Sequence, residues 1–185
     1  MDALSVYEDS VFRAIRSATS SPDEALSEAS DEPGEVDWNM PGFAGNLRVG
    51  TVFGDLPIQA LRIRDEIRTA SGAIALVQSI DKFHLDEDFL RKHPSAHPVR
   101  VRANSLGIGI PGQDMLVSPR QEICPDPHVF SRHLQAIDLC KQSRAHRVQT
   151  PGLTYFRFHC GHAVTIRVEG VWVRVAPWLP GEFGK

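Results

Sequence analysis

The chain has 185 residues, three cysteines and a net charge of -3, which is enough length for one domain with a buried core. Three cysteines without a framework spacing argue against a secreted disulfide scaffold and favour a reducing compartment. No stretch approaches the ~20 apolar residues of a membrane helix, and no basic and apolar leader opens the chain. We therefore expect a soluble protein without a membrane partner; a cytoplasmic location and export by a route that reads no such leader both stay open.

Charge is unevenly divided along the chain. Residues 1–40 carry ten acidic side chains against Arg13 and Arg16, a net charge of -8, so the remainder of the chain has +5. Such a split is typical of an acidic arm beside a folded body. The basic residues of the body are spread singly rather than clustered, so we expect no nucleic-acid partner.

The first 41 residues are predicted to form an acidic N-terminal arm. Apolar residues recur at three- and four-residue steps from Leu4 to Ala18, which predicts an amphipathic helix over residues 3–18 with Asp2 as its N-cap. This helix either docks on its own body or faces a protein partner, and the sequence leaves both open. Residues 19–41 are rich in Ser, Pro, Gly and acids and are predicted to be a linker.

Residues 42–180 are predicted to be one all-β domain. Short runs rich in Val, Ile and Leu are separated by Gly, Pro, Asn and Asp, and branched residues alternate with arginine in Val99–Arg102 and Thr165–Val168. Glu169 and Gly170 are predicted to form a tight hairpin turn. The predicted strands are 47–53, 66–69, 74–82, 99–103, 115–119, 154–160, 164–168 and 171–176.

Two segments of this domain are predicted to lie outside the sheet. Residues 128–143 place Phe130, Leu134 and Ile137 on one side of a helix, so the sequence predicts one helix in the body. Residues 85–98 mix charged side chains with two prolines. We expect this second segment to be an exposed insertion.

Three blocks of the body follow one another in a recognisable order. They read GFAGNLRVGTVFGDLPIQAL at 42–61, HPVRVRANSLG at 97–107 with QDMLVSPRQ at 113–121, and YFRFHCGHAV at 155–164 with Glu169-Gly170. Together they resemble the bacterial branch of the Hedgehog/intein (Hint) domains. The second block is the most specific, because it is similar to that family's Pro-Ile/Val-Arg-Ile-Arg-Ala-x-x-Leu-Gly and Asp-Leu-Leu-Val-Ser-Pro-x-His. The resemblance spans about residues 42–176 and implies a compact, Hint-like β fold.

The resemblance also implies self-cleaving or splicing chemistry, and here its key positions are altered. In such domains a thiol at the first residue attacks the preceding carbonyl, and the histidine of a Ser/Thr-x-x-His block protonates the departing nitrogen. The corresponding residues are Gly42, which has no side chain, and Gln121, three residues after Ser118, whose amide does not titrate. Cys160 replaces a late aspartate, whereas His162 matches a family histidine. We expect a degenerate domain, inactive in autoprocessing, that acts as a binding or scaffold module.

Cys160 and His162 also allow a second interpretation. Two residues apart in a predicted strand, their side chains would share one face and could act as nucleophile and base, with His159 as the other candidate base, or bind a metal. Further metal ligands could come from Cys124, His128 and His133. Because cysteine is among the most buried residue types, we predict core packing for Cys160, no metal and no cofactor. A protein partner is expected to bind through the acidic arm.

Overall fold

The computed structural model describes residues 38–126 and 128–178. The predicted helix over residues 3–18 and most of the predicted linker lie outside the described residues. By its contacts the chain divides into two units, residues 34–177 and residues 1–33 with 178–185. Apart from Trp178, the described residues belong to the first of these units, and the fold below is that of this unit.

The described part of the chain is all-β, as the sequence predicts, and it contains two short helices where one was predicted. Helix α1 is Glu87–Lys92, helix α2 is Ala136–Cys140, and 3-10 turns lie at Ile58–Ala60 and Pro94–Ala96. The strands, numbered in chain order from β1 to β14, are Phe43–Ala44, Arg48–Thr51, Gly54–Pro57, Glu66–Arg68, Ile74–Leu76, Ser79–Leu85, Val99–Val101, Met115–Val117, Glu122–Ile123, Leu134–Gln135, Ala145–Arg147, Leu153–His159, Val164–Val168 and Val171–Val175.

These strands form two antiparallel sheets. One has six strands in the order β11-β7-β8-β1-β12-β6, and the other has eight, in the order β10-β9-β14-β13-β2-β4-β5 with β3 beside β2. The predicted hairpin turn between β13 and β14 is confirmed, since Val168 pairs with Val171. Glu169 and Gly170 both have positive φ angles, which is the geometry of the two-residue turns that suit the twist of a hairpin.

The main core fills one face of each sheet. Val99 and Val101 of β7 and Ile166 and Val168 of β13 are fully buried, as their predicted alternation requires. The intervening Arg167 is exposed. Alternation along β13 therefore separates a buried face from a polar one, and burial of the branched residues supplies the main stabilising free energy of this core.

The six-stranded sheet is also covered on its second face. A smaller apolar cluster there joins residues of the sheet to residues of the chain before β1 and after β6. Its buried members are Trp38, Ala44, Phe83, Leu85, Leu90, Ala96 and Tyr155. Neighbouring positions on one strand divide between the clusters, because Phe43 belongs to the main core and Ala44 to the smaller one. The middle of this sheet is thus buried on both sides.

Residues 85–98 supply this cover, so the expectation of an exposed insertion is wrong. Asp86 caps α1 by accepting a hydrogen bond from the backbone N–H of Phe89 at 2.7 Å, which satisfies one of the free amides at a helix start. Leu90 is 1% exposed and Ala96 is fully buried. The charged residues of the segment gave it a polar appearance, but its apolar residues face the sheet.

The predicted helix over residues 128–143 is also corrected. Only Ala136–Cys140 is helical, and Leu134 pairs with Ile123 in the sheet. Phe130 packs edge-on against Trp172 with ring centroids 5.2 Å apart. Pairing with β9 therefore overrides the helical spacing of the apolar residues, as tertiary contacts commonly override propensity. None of the helices in the described part of the chain is long and apolar enough to cross a membrane.

Candidate functional site

Gly42 lies directly before β1 and is buried. Its carbonyl oxygen accepts a hydrogen bond from the backbone N–H of Ser118 at 2.8 Å. A Cβ atom on Gly42 would lie 3.3 Å from Cβ of Tyr155 and 3.4 Å from the carbonyl oxygen of Phe156. A nucleophilic side chain is therefore absent at this position, and the space for one is tight.

Ser118 directly follows β8 and is fully buried. Its hydroxyl donates to the carbonyl oxygen of Met40 at 2.5 Å and accepts from the indole Nε1 of Trp38 at 3.1 Å. Both partners lie upstream of Gly42. The hydroxyl thus fixes the chain that leads into the position where the Hint-like pattern places the reacting bond.

Gln121 is 2% exposed, and its side-chain amide binds backbone carbonyl oxygens of other residues. Its Nε2 donates to the carbonyl oxygen of Arg174 at 2.8 Å and to that of Glu122 at 3.2 Å. Within the described residues no hydrogen bond joins Gln121 to Gly42, and none reaches the carbonyl oxygen of Pro41. In the described part of the chain, residue 121 therefore offers no titrating proton donor, and the carbonyl oxygen of Pro41 accepts no hydrogen bond of the kind that stabilises developing negative charge.

Cys160 and His162 do not share a strand face. Strand β12 ends at His159, and the next residues form a turn in which Gly161 has a φ of +81° and a Cβ would overlap the Gln78 side chain. Cys160 is 2% exposed within the main core, whereas His162 is exposed. Burial raises the pKa of the Cys160 thiol to about 11, the opposite of what a reactive thiol requires.

Two of the residues considered as further metal ligands make hydrogen-bond contacts with other groups. The thiol of Cys124 donates to the carbonyl oxygen of Phe130 at 3.6 Å, and Nε2 of His133 lies 3.1 Å from the hydroxyl oxygen of Thr165. Burial and then Glu122 raise the pKa of Cys124 to about 11. Among residues 38–126 and 128–178, no three His, Cys, Asp or Glu side chains come together.

Residues 38–41, here called the strap, are the part of the site that the sequence did not reveal. Trp38 is 6% exposed, and its carbonyl oxygen accepts from Nε of Arg120 at 3.1 Å. Its backbone N–H donates to the hydroxyl of Ser95 at 3.0 Å. Two large apolar side chains, Trp38 and Met40, in an otherwise polar linker were the signal that could have indicated this packing.

Comparison with protein families matches residues 41–175 to the model of the Hint domain, a match that covers most of the chain. The chain belongs to the Hint domain family. The predicted resemblance and the Hint-like β fold are thereby confirmed. Comparison with curated protein sequences gives no match.

Solved structures similar to this Hint domain include inteins. The DnaB intein from Synechocystis sp. PCC 6803 is 10% identical with a TM-score of 0.48, and the match covers 75% of this chain and 100% of that one. The gp41-1 intein is 9% identical with a TM-score of 0.46, and the match covers 72% of this chain and 98% of that one. The Ssp DnaB mini-intein variant M86 is 9% identical, with a TM-score of 0.48 and coverage of 75% and 97%.

Proposed function

We propose that this Hint domain does not break the bond before residue 42 and serves as a binding or scaffold module. The observation that carries the proposal is the pair of residues at the reacting positions. Gly42 offers no nucleophile, and the side-chain amide of Gln121 donates its hydrogen bonds to backbone carbonyl oxygens. General acid catalysis alone is typically worth ~10²–10⁴-fold, and without a nucleophile the acyl transfer cannot begin.

Thiol chemistry at Cys160 is the alternative enzyme function, and the surroundings of the thiol do not favour it. The sulfur is buried, its pKa is raised to about 11, and His162 lies in the turn beyond the strand. A nucleophilic cysteine instead needs a lowered pKa and access for its substrate.

In this proposal the acidic arm, residues 1–41, is the partner-facing element. Its net charge of -8 over residues 1–40 contrasts with +5 over the rest of the chain, so a partner with a basic surface would be attracted to it. A variant with the ten acidic residues replaced by Asn or Gln should lose such a partner. Binding by the unchanged chain should weaken as salt rises, because salt screens exposed charges.

Replacing Gly42 by Cys tests the central part of the proposal. Gly42→Cys restores the thiol but leaves Gln121 in place, so we expect intact mass spectrometry to show the uncut chain of 20.5 kDa even after incubation with excess dithiothreitol. Gly42→Ala is the matched control, because it adds the same Cβ atom without sulfur. Thiol-dependent fragments 1–41 and 42–185 from Gly42→Cys would show that the loss of the histidine does not block the reaction.

A further inference from the structure

We propose that the β domain contains a binding site for a tryptophan-containing segment of chain. In this protein its own strap fills the site, which keeps the upstream chain attached whether or not the Pro41–Gly42 bond is intact. Residues 38–40 of the strap precede the segment matched to the Hint domain, which begins at Pro41. The inference does not depend on the proposed function, because it concerns contacts rather than cleavage.

The site has an aromatic pocket for the indole ring of Trp38. The indole stacks on Tyr155 with centroids 5.8 Å apart, and it makes edge contacts with Phe83 at 6.5 Å and with Phe89 at 6.1 Å. These three walls come from β12, β6 and α1, so the pocket exists only when the insertion folds onto the sheet. Aromatic pairs of this kind stabilise a complex beyond the area they bury.

Polar groups at the pocket select a segment that carries an indole. Ser95 and Arg120 bind the backbone N–H and carbonyl of Trp38 at 3.0 and 3.1 Å. Ser118 accepts from the indole nitrogen at 3.1 Å and donates to the carbonyl oxygen of Met40. Two of these contacts therefore recognise the backbone of Trp38. A third recognises its ring nitrogen, and the fourth recognises the backbone of Met40.

None of these contacts passes through the bond between Pro41 and Gly42. The groups that hold Trp38 and Met40 all lie in the chain after residue 42, and those that form hydrogen bonds are 57 to 82 residues away in sequence. A chain cut at that bond would therefore still carry the complete pocket on one piece and its ligand on the other.

Chemical cleavage of one engineered bond tests this directly. Pro41 is exposed, and Pro41→Asn creates an Asn-Gly pair that hydroxylamine cuts; the sequence contains no other. Full-length Pro41→Asn is cut in denaturant, the denaturant is removed, and the product is passed over a size-exclusion column. We expect fragments 1–41 and 42–185 to elute together in equal molar amounts, with uncut Pro41→Asn refolded in parallel as the reference.

The control carries Trp38→Ala in the same background. Removing the indole should release fragment 1–41, so that it is lost from the peak that contains fragment 42–185. Separation of the fragments with Trp38 present would overturn the proposal. Joint elution with Trp38 replaced would overturn it equally, since other contacts would then hold the arm.

A second measurement decides the matter if the cut chain does not refold. Full-length Trp38→Gly leaves a pocket of indole shape, and free indole should raise its thermal unfolding midpoint, because a ligand stabilises the state that binds it. 1-Methylindole lacks the hydrogen donated to Ser118 and should bind about fivefold more weakly, the equivalent of one ordinary hydrogen bond. Trp172→Gly, at a half-buried tryptophan on the other sheet, should show no rise. No rise for Trp38→Gly, or an equal rise for both variants, would contradict the proposal.

Discussion

At the scale of single residues, Gly42 differs in two ways from the nucleophile that the Hint-like pattern expects at this position. It removes the nucleophile, and the strand beside it closes the space that a side chain would need, with Cβ of Tyr155 3.3 Å from the ideal Cβ position. Tyr155 is fully buried, and its hydroxyl donates to the carbonyl oxygen of Ala96 at 2.9 Å. Restoring a side chain at residue 42 therefore displaces a fixed aromatic residue rather than a flexible one.

Gly42→Ala should consequently lower the free energy of unfolding by about 1–3 kcal/mol, the usual cost of an added group in a well-packed site. Urea unfolding of the full chain measures this. The control is Gly50→Ala in β2, where an added Cβ makes ordinary contacts of 3.5 Å with Arg167. Equal effects of the two substitutions would contradict the packing argument at Gly42.

Cys160 should react slowly with alkylating reagents in the native chain. Its thiol pKa rises from 9.0 to about 11, which leaves about 100-fold less thiolate at neutral pH, and burial restricts access further. Alkylation followed by peptide mass analysis compares the rate at Cys160 in native and urea-unfolded protein. A native rate at or above the unfolded rate would reinstate Cys160 as a candidate nucleophile.

At the scale of elements, the insertion after β6 is the structural cover of the six-stranded sheet. Helix α1 has only six residues, too few to be stable in isolation, so its order depends on the apolar residues it buries. Its Leu90 is 1% exposed and belongs to the smaller cluster with Trp38 and Tyr155. Helix and strap therefore stabilise one another across the same pocket.

Leu90→Ala should lower the free energy of unfolding by about 2–5 kcal/mol, the range for truncating a buried leucine. Leu76→Ala is the control, because Leu76 is 45% exposed on β5 and its truncation leaves no buried cavity. Both variants can be compared by urea unfolding. A loss at Leu90 no larger than at Leu76 would show that α1 does not contribute to the core.

The predictability of these elements follows the range of the interactions involved. The hairpin at Glu169-Gly170 and the alternation of β7 and β13 are local patterns, and the sequence predicts them. The helix predicted over residues 128–143 failed because Leu134 pairs with a strand eleven residues earlier. In the candidate site, the family pattern located Gly42 and Gln121, whereas the partners of Trp38 could not be predicted because they are distant in sequence.

At the scale of the whole molecule, the family match defines the β domain, and the packing of the strap ties the preceding chain to that domain. The two sheets share one core, and the Hint domain match spans residues 41–175. The smaller cluster adds the strap to the outer face of the six-stranded sheet. In the proposed function the chain before residue 42 is thus retained both by its peptide bond and by the pocket for Trp38.

The most direct test is the mass of the unmodified chain after a chemical challenge. Purified protein is held under native conditions with hydroxylamine and dithiothreitol, which would cleave an ester or thioester formed between the Pro41 carbonyl and a side chain elsewhere in the protein, and is then analysed by intact mass spectrometry. We expect one species at the mass of residues 1–185. A fragment that begins at Gly42, released in a time-dependent manner, would contradict it.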